Sequence, residues 1–268
     1  MRWGPIIFLL IFTACQTSKK IQVPERNSSL TGTEFYKLAA GMKWNEKDSF
    51  VIKEILAGNL PDFIKKFVPI KVSGIDSSTG KKVQVIYFVS PDYLSVGNNT
   101  DWARVNITPM AAQKIADSFQ CFLPTRKIVD DIYKKAKVKL EPVPMYAFRD
   151  STPTMYQHHL IIEGQRKGRS GLIACIKKDV VISGKISRDP KQNRVAIYGW
   201  HKTDGKPIQP LYTGHVNWYV DYSQGIRLVF RKIKVNNKWV DYTDLLKNKR
   251  LKHFLCDEEW CDFFRYDY

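Results

Sequence analysis

The apolar residues of this chain change period along its length, and that change limits the folds open to it. Residues 34–67 read as mostly helical: Phe50, Ile52, Ile55 and Leu56 repeat at helical spacing, and Gly58-Asn59 ends the segment. Pro61-Asp62 opens a short helix through Phe67. Pro69–Val72 and Val83–Val89 alternate as two strands around the turn Asp76-Ser77-Ser78-Thr79-Gly80. Thr108-Pro109 starts a helix with a capping hydroxyl and a proline at the first position. A second helix runs from about Thr125 to Lys137, with the stripe Ile128, Val129, Ile132, Tyr133 and Ala136, and is stopped by Pro142 and Pro144. From Leu172 the pattern turns to strands: Leu172–Cys175, Val180–Ser183, Val195–Trp200, Trp218–Asp221 and Ile226–Val235. Asn236-Asn237 is a hairpin turn before Trp239-Val240, and Thr243 to Phe254 closes as a basic helix. N-terminal helices followed by a mainly antiparallel sheet define an α+β fold. No internal repeat divides the chain, so residues 34–268 read as one domain.

The first residues carry an address. Arg2 is a positive start, Ile6-Ile7-Phe8-Leu9-Leu10-Ile11-Phe12 is an apolar run, and Thr13-Ala14-Cys15 closes it. The run is too short to span a bilayer, which takes ~20 apolar residues, so it reads as a secretion signal. Phe12-Thr13-Ala14-Cys15 resembles the lipobox of bacterial lipoproteins, with Phe12 where Leu is usual. The resemblance implies a signal peptide at residues 1–14, cleavage before Cys15 and lipid on that cysteine. Residues 15–33 are polar and aperiodic and read as a lipidated tether. Gln16, where Asp tends to mark inner-membrane retention, points to the outer membrane facing the periplasm. The only membrane partner expected is the bilayer reached through that lipid.

Net charge is +17. A balance this basic favours anionic partners, and export leaves envelope polymers and phospholipid rather than nucleic acid. The charge is concentrated in residues 164–194 and 226–253, with nine Lys or Arg in each, while the tail carrying Asp257, Glu258, Glu259 and Asp262 is acidic and can fold back on a basic face. Cys256 and Cys261 flank Asp-Glu-Glu-Trp in a chain expected in an oxidising compartment, which makes a local disulfide plausible.

Candidate chemistry gathers around one thiol and two imidazoles. Cys121 lies between two amphipathic helices beside Arg126 and Lys127; a helix N-terminus and nearby cations favour thiolate. His201 follows the apolar strand ending at Trp200, and His215 precedes Trp218-Tyr219. Pairing of 195–200 with 216–221 would let the two imidazoles face each other, and Asp221 could orient either. Two His and a carboxylate also suit an open zinc site, although no His-Glu-x-x-His is present. The adjacent pair His158-His159 points in different directions on any regular element. Trp200, Tyr212, Trp218, Tyr219 and Tyr222 are either strand-favouring core residues or stacking platforms for sugars.

Lys178-Asp179-Val180-Val181-Ile182 and Arg194-Val195-Ala196-Ile197-Tyr198-Gly199 resemble the sheet of NlpC/P60-type papain-fold wall peptidases. That resemblance implies a papain-like arrangement with an upstream cysteine at a helix start, matched in position by Cys121. Arg194 stands where the family has its histidine, so His201 or His215 would have to serve. The resulting expectation is an envelope lipoprotein acting on the cell wall, as a cysteine amidase or endopeptidase using Cys121, His201 or His215, and Asp221, with no cofactor. The alternative is a non-catalytic module binding anionic glycan or a protein partner. A His/Asp metal hydrolase is a third reading.

Overall fold

The computed structural model of the chain describes residues 18–76 and 78–268; the signal segment, Cys15 and Ser77 lie outside them. Strand β1 (Lys19–Lys20) is followed by helices α1 (Gly32–Ala39) and α2 (Trp44–Leu56). A long hairpin, β2 (Lys66–Ile75) and β3 (Lys82–Val89), leads to a small one, β4 (Ser95–Gly97) and β5 (Trp102–Arg104). Helix α3 (Pro109–Ser118), β6 (Cys121–Phe122), α4 (Arg126–Lys135) and β7 (Val138–Lys139) come next, then α5 (Thr152–Arg166) and β8 (Ile173–Ala174). The C-terminal part holds β9 (Lys178–Val181), α6 (Gly184–Ser187), β10 (Arg194–His201), β11 (Pro207–Val216), β12 (Gln224–Gly225), β13 (Val229–Phe230), β14 (Lys232–Val235), β15 (Lys238–Asp241) and α7 (Tyr242–Lys247).

The fold is α+β. A seven-stranded antiparallel sheet runs β1-β2-β3-β13-β6, with β14 joining β3 to β15. A four-stranded sheet, β11-β10-β9-β12, is antiparallel except for the β9–β12 pair. One main core runs through both sheets, from Ile21 through Phe67, Tyr87, Phe122 and Ile197 to Tyr266.

Local chemistry explains the helices that the periodicity marks. Thr31 Oγ1 accepts from Glu34 N at 3.2 Å while Thr31 N donates to Glu34 Oε2 at 2.9 Å, a capping box at the start of α1. Thr108 and Thr125 cap α3 and α4 through their hydroxyls.

Three expectations are corrected, and one helix is added. The short helix at Pro61–Phe67 is a set of turns ending in β2, because the eight-residue ladder to β3 and the extended preference of Val68 before Pro69 outweigh one helical turn. The strand at Trp218–Asp221 is a loop; the partner of β10 is β11, immediately upstream. The helix α5 was not expected, because its inward face carries Thr152, His158 and His159 beside Met155 and Ile162. The tether does not run free to residue 33: Lys19 and Lys20 pair with Phe67 and Lys66, Ile21 N donates to Lys65 O at 3.1 Å, and Asn27 N to Ala57 O at 2.8 Å. Gly58, at φ +78°, admits this segment; a Cβ there would stand 2.5 Å from Pro24 O.

The closing basic helix is interrupted at Asn248, leaving α7 and a 3-10 turn at Lys252–Phe254. The acidic tail folds back as its charge suggests, with Asp257 on Arg126 at 3.1 Å and Asp262 on Arg188 at 2.8 Å. Cys256 and Cys261 are disulfide-bonded.

Candidate functional site

The residues singled out for catalysis do not converge. Cys121 lies on β6, past the C-terminal end of α3, and its thiol bonds to Phe119 O at 3.4 Å. It is buried, and burial pushes the thiol far above its ordinary pKa, the reverse of an activated nucleophile. No imidazole is within hydrogen-bond reach of it among the described residues. The helix N-terminus that was to activate it belongs to α4, which begins at Arg126, five residues on.

His201 and His215 stand opposite Pro207 and Val195, at the two ends of the β10–β11 hairpin. Six residues at ~3.3 Å each put them about 20 Å apart. His201 Nε2 bonds Asp130 Oδ1 at 2.9 Å, and its ring stacks on Tyr133 at 4.8 Å. Tyr198 donates to the same carboxylate at 2.8 Å. Burial opposes ionisation of Asp130, but these two hydrogen bonds hold its pKa below the ordinary value. His215 packs between Tyr212 and Tyr219, and burial together with the Lys178 charge lowers its pKa. Asp221 orients neither ring. Its Oδ2 accepts from Lys178 Nζ at 2.9 Å and Arg149 at 3.3 Å, and its Oδ1 from Ser223 N and Oγ at 2.9 and 2.6 Å. Although burial raises its pKa, Lys178 and these bonds keep it net lowered.

The papain-like arrangement is therefore corrected too, since Cys121 belongs to the seven-stranded sheet and the strands that resemble the wall peptidases form the other one. The metal reading lacks a ligand set: no three His, Cys, Asp or Glu side chains cluster to hold an ion among the described residues.

Two other groupings emerge, and both are built around buried cations. The first is closed. Arg104 has no exposed surface; it meets Asp92 through Nε at 2.8 Å and Nη2 at 2.7 Å, and Glu163 at 2.7 Å. The imidazoles of His158 and His159, on α5, face the same cluster. Burial, then Lys177 for His158 and Arg104 for His159, lowers them to about 2 and about 3, so both rings are neutral at physiological pH. Lys177 Nζ donates to Tyr222 O at 2.5 Å and is lowered to about 7, mostly by burial. Arg227 completes the cluster with bonds to Ser90 O and Ile173 O, each at 2.9 Å. This network ties α5 and β5 to the segment that enters β9, and it is buried except at Glu163, which keeps 29 % of its side chain exposed.

The second is open. A cavity of about 400 Å³ lies between the α1–α2 loop, the N-terminus of α5, and the end of β11 with the loop 217–220 that follows it. Trp44, Trp218 and Tyr219 are among its lining residues, and both tryptophans are more than two-fifths exposed. Lys47 lines it as well, with only 5 % of its surface exposed. Its ammonium has one hydrogen-bond partner, the thioether of Met155 at 3.1 Å, and no ion-pair partner among the described residues. Burial pulls Lys47 down to about 8 against the opposing charges of Asp48 and Asp150. Asp48 is itself engaged by the Thr108 hydroxyl, and burial raises it to about 6.

Such a cavity can hold a ring against an aromatic side chain and offer a poorly solvated cation to an acid group. Sequence reasoning named Trp218 and Tyr219 and missed Trp44 and Lys47. The available signal was the row Lys47, Val51, Glu54 and Ile55, which turns one side of α2 inward with its charged members included.

No family model matches this chain, and no curated protein or solved structure matches it either.

Proposed function

We propose that this chain is a lipid-anchored envelope protein that binds an anionic glycan of the cell wall without catalysing its cleavage. The observation that carries this reading is the cavity in which Lys47 offers an ammonium whose only acceptor among the described residues is a thioether, beside Trp44, Trp218 and Tyr219. A carboxylate-bearing sugar would supply the missing oxygen acceptor to Lys47, and its ring would stack on indole or phenol. The net charge of +17 favours encounter with anionic polymers. The location follows from the lipobox resemblance at Phe12-Thr13-Ala14-Cys15: lipid on Cys15, at the outer membrane, facing the periplasm. The cysteine-hydrolase version finds no support, because Cys121 is buried and no imidazole among the described residues is within its reach.

The test is calorimetric titration with soluble peptidoglycan fragments carrying a free carboxylate, beside the same fragments amidated. Tighter binding of the acid form by the wild type, lost in Lys47→Met, supports the reading. Equal affinity for both forms, or release of cleaved product, refutes it.

A further inference from the structure

One face of the seven-stranded sheet pairs lysines with an exposed tryptophan. The register sets Lys71 of β2 opposite Ile86 of β3, Ile86 opposite Lys234 of β14, and Lys234 opposite Trp239 of β15. Directly opposed residues share a face, so these four side chains form one row across four strands. Two residues along each of β2 and β3, Ser73 and Gln84 continue the face, and then Ile75 and Lys82. The opposite face, bearing Ile70, Val85 and Ile233, is core.

The row is built for an interface. Trp239 is 48 % exposed and Ile75 62 %. Lys234 Nζ lies 4.9 Å from the Trp239 ring centre, and Lys19 Nζ reaches the Phe230 and Trp239 rings at 4.7 and 5.9 Å. None of Lys19, Lys71, Lys82 and Lys234 has a carboxylate partner among the described residues, whereas Asp241, the acid on the adjoining stretch of β15, is neutralised by Arg231 at 2.7 Å and Lys232 at 3.2 Å. Amphipathic rings beside unpaired ammonium groups on flexible stems suit the boundary between lipid headgroups and acyl chains. Chain length selects the same occupant. Lys19 is four residues from Cys15, and four residues reach at most ~14 Å. Because β1 is paired to β2, a lipid on Cys15 would insert close to this sheet and could not swing to the far side of the domain.

We propose that the face carrying Lys71, Lys234 and Trp239 lies against an anionic phospholipid surface and fixes the orientation of the domain above its own anchor. This rests on lipid attachment at Cys15 and is independent of what the Lys47 cavity binds.

The test uses the full chain extracted from membranes and reconstituted into vesicles of phosphatidylglycerol with phosphatidylcholine, or of phosphatidylcholine alone. Exposed amines are acetylated and read by peptide mass spectrometry. Lys71, Lys82 and Lys234 should label several-fold more slowly in the anionic vesicles, and the protection should vanish at about 1 M salt, where screening shortens to ~3 Å. Lys37 and Lys53, exposed on α1 and α2, should label equally in both. The pair Lys71→Glu with Lys234→Glu should restore labelling of Lys82 without changing the affinity of the Lys47 cavity for glycan. Equal labelling of Lys71 and Lys234 in the two vesicles overturns the proposal. So does protection of those lysines by soluble wall glycan in place of anionic lipid. Failure of the chain to associate with vesicles at low salt removes the anchor and this face together, and leaves the cavity reading standing.

Discussion

Arg104 and Lys47 are both buried cations, and they are treated oppositely. Arg104 is bracketed by Asp92 and Glu163 with hydrogen bonds of 2.7–2.8 Å and has no exposed surface. Lys47 meets a thioether at the edge of a cavity. Taking an ion out of water costs several kcal/mol unless oppositely charged or hydrogen-bonding groups replace the lost solvent. Around Arg104 that replacement is internal, so its role is complete in the folded chain. Around Lys47 no oxygen acceptor among the described residues makes that replacement, and under the proposed function a ligand would. The oxygen acceptors around Arg104 and their absence around Lys47 are what set the network apart from the cavity proposed to bind a ligand.

The contrast can be broken most forcefully at Arg104. Arg104→Met should leave the buried Asp92 with only Arg166, at 3.6 Å, in place of its closest partner, and lower stability by about 3–5 kcal/mol. A loss under 1 kcal/mol in urea unfolding would show that the network is not structural. Lys47→Met should do the opposite, leaving stability unchanged or raising it, because a cation without an oxygen partner is replaced by an apolar chain of similar length. The pH dependence sharpens this. Lys47 falls from 10.5 to about 8 on folding. Between those values the unfolded chain binds more protons, so stability rises with pH across that window, by about 3 kcal/mol in all. The difference between wild type and Lys47→Met should shrink as pH climbs from 8 to 10.5, and a constant difference would contradict the assignment. Glycan affinity should run the other way, declining above pH 8 as the ammonium is lost.

A smaller effect is expected at the cavity wall. Trp218→Ala should weaken glycan binding about tenfold, or ~1.4 kcal/mol, with little change in stability, since the ring is partly exposed. Unchanged affinity would mean that the ligand does not use this wall. The smallest effect belongs to Cys121. Burial raises the thiols of Cys121 and Cys175, the latter to about 11, so iodoacetamide at neutral pH should modify neither in the folded protein, and Cys121→Ala should bind glycan as the wild type does. Rapid alkylation of Cys121 alone would revive it as a nucleophile.

Much of the fold was legible because it depends on near neighbours in the chain. Thr108-Pro109 and Thr125 mark helix starts by capping, which acts within one turn. Asn236-Asn237 turns the β14–β15 hairpin through two positive φ angles, 46° and 69°, a conformation that asparagine tolerates. Cys256 and Cys261 are close enough along the chain for their bond to be anticipated. The α+β class and the returning acidic tail came from patterns of the same short range. The sites did not. Whether strand 195–200 paired with 207–216 or with 216–221 was a choice between neighbouring segments, and it decided that His201 and His215 lie apart. Helix α5 was hidden because its inward face is polar, and the partners of its buried imidazoles, Lys177 for His158 and Arg104 for His159, come from other parts of the chain. Nothing in the helical segment marks Lys47; Trp218, Tyr219 and the start of α5, distant in sequence, line the cavity with it. Local capping and turn chemistry act between residues a few positions apart and can be read in order. The desolvation of a charge depends on everything packed around it, and only the assembled tertiary structure decides that.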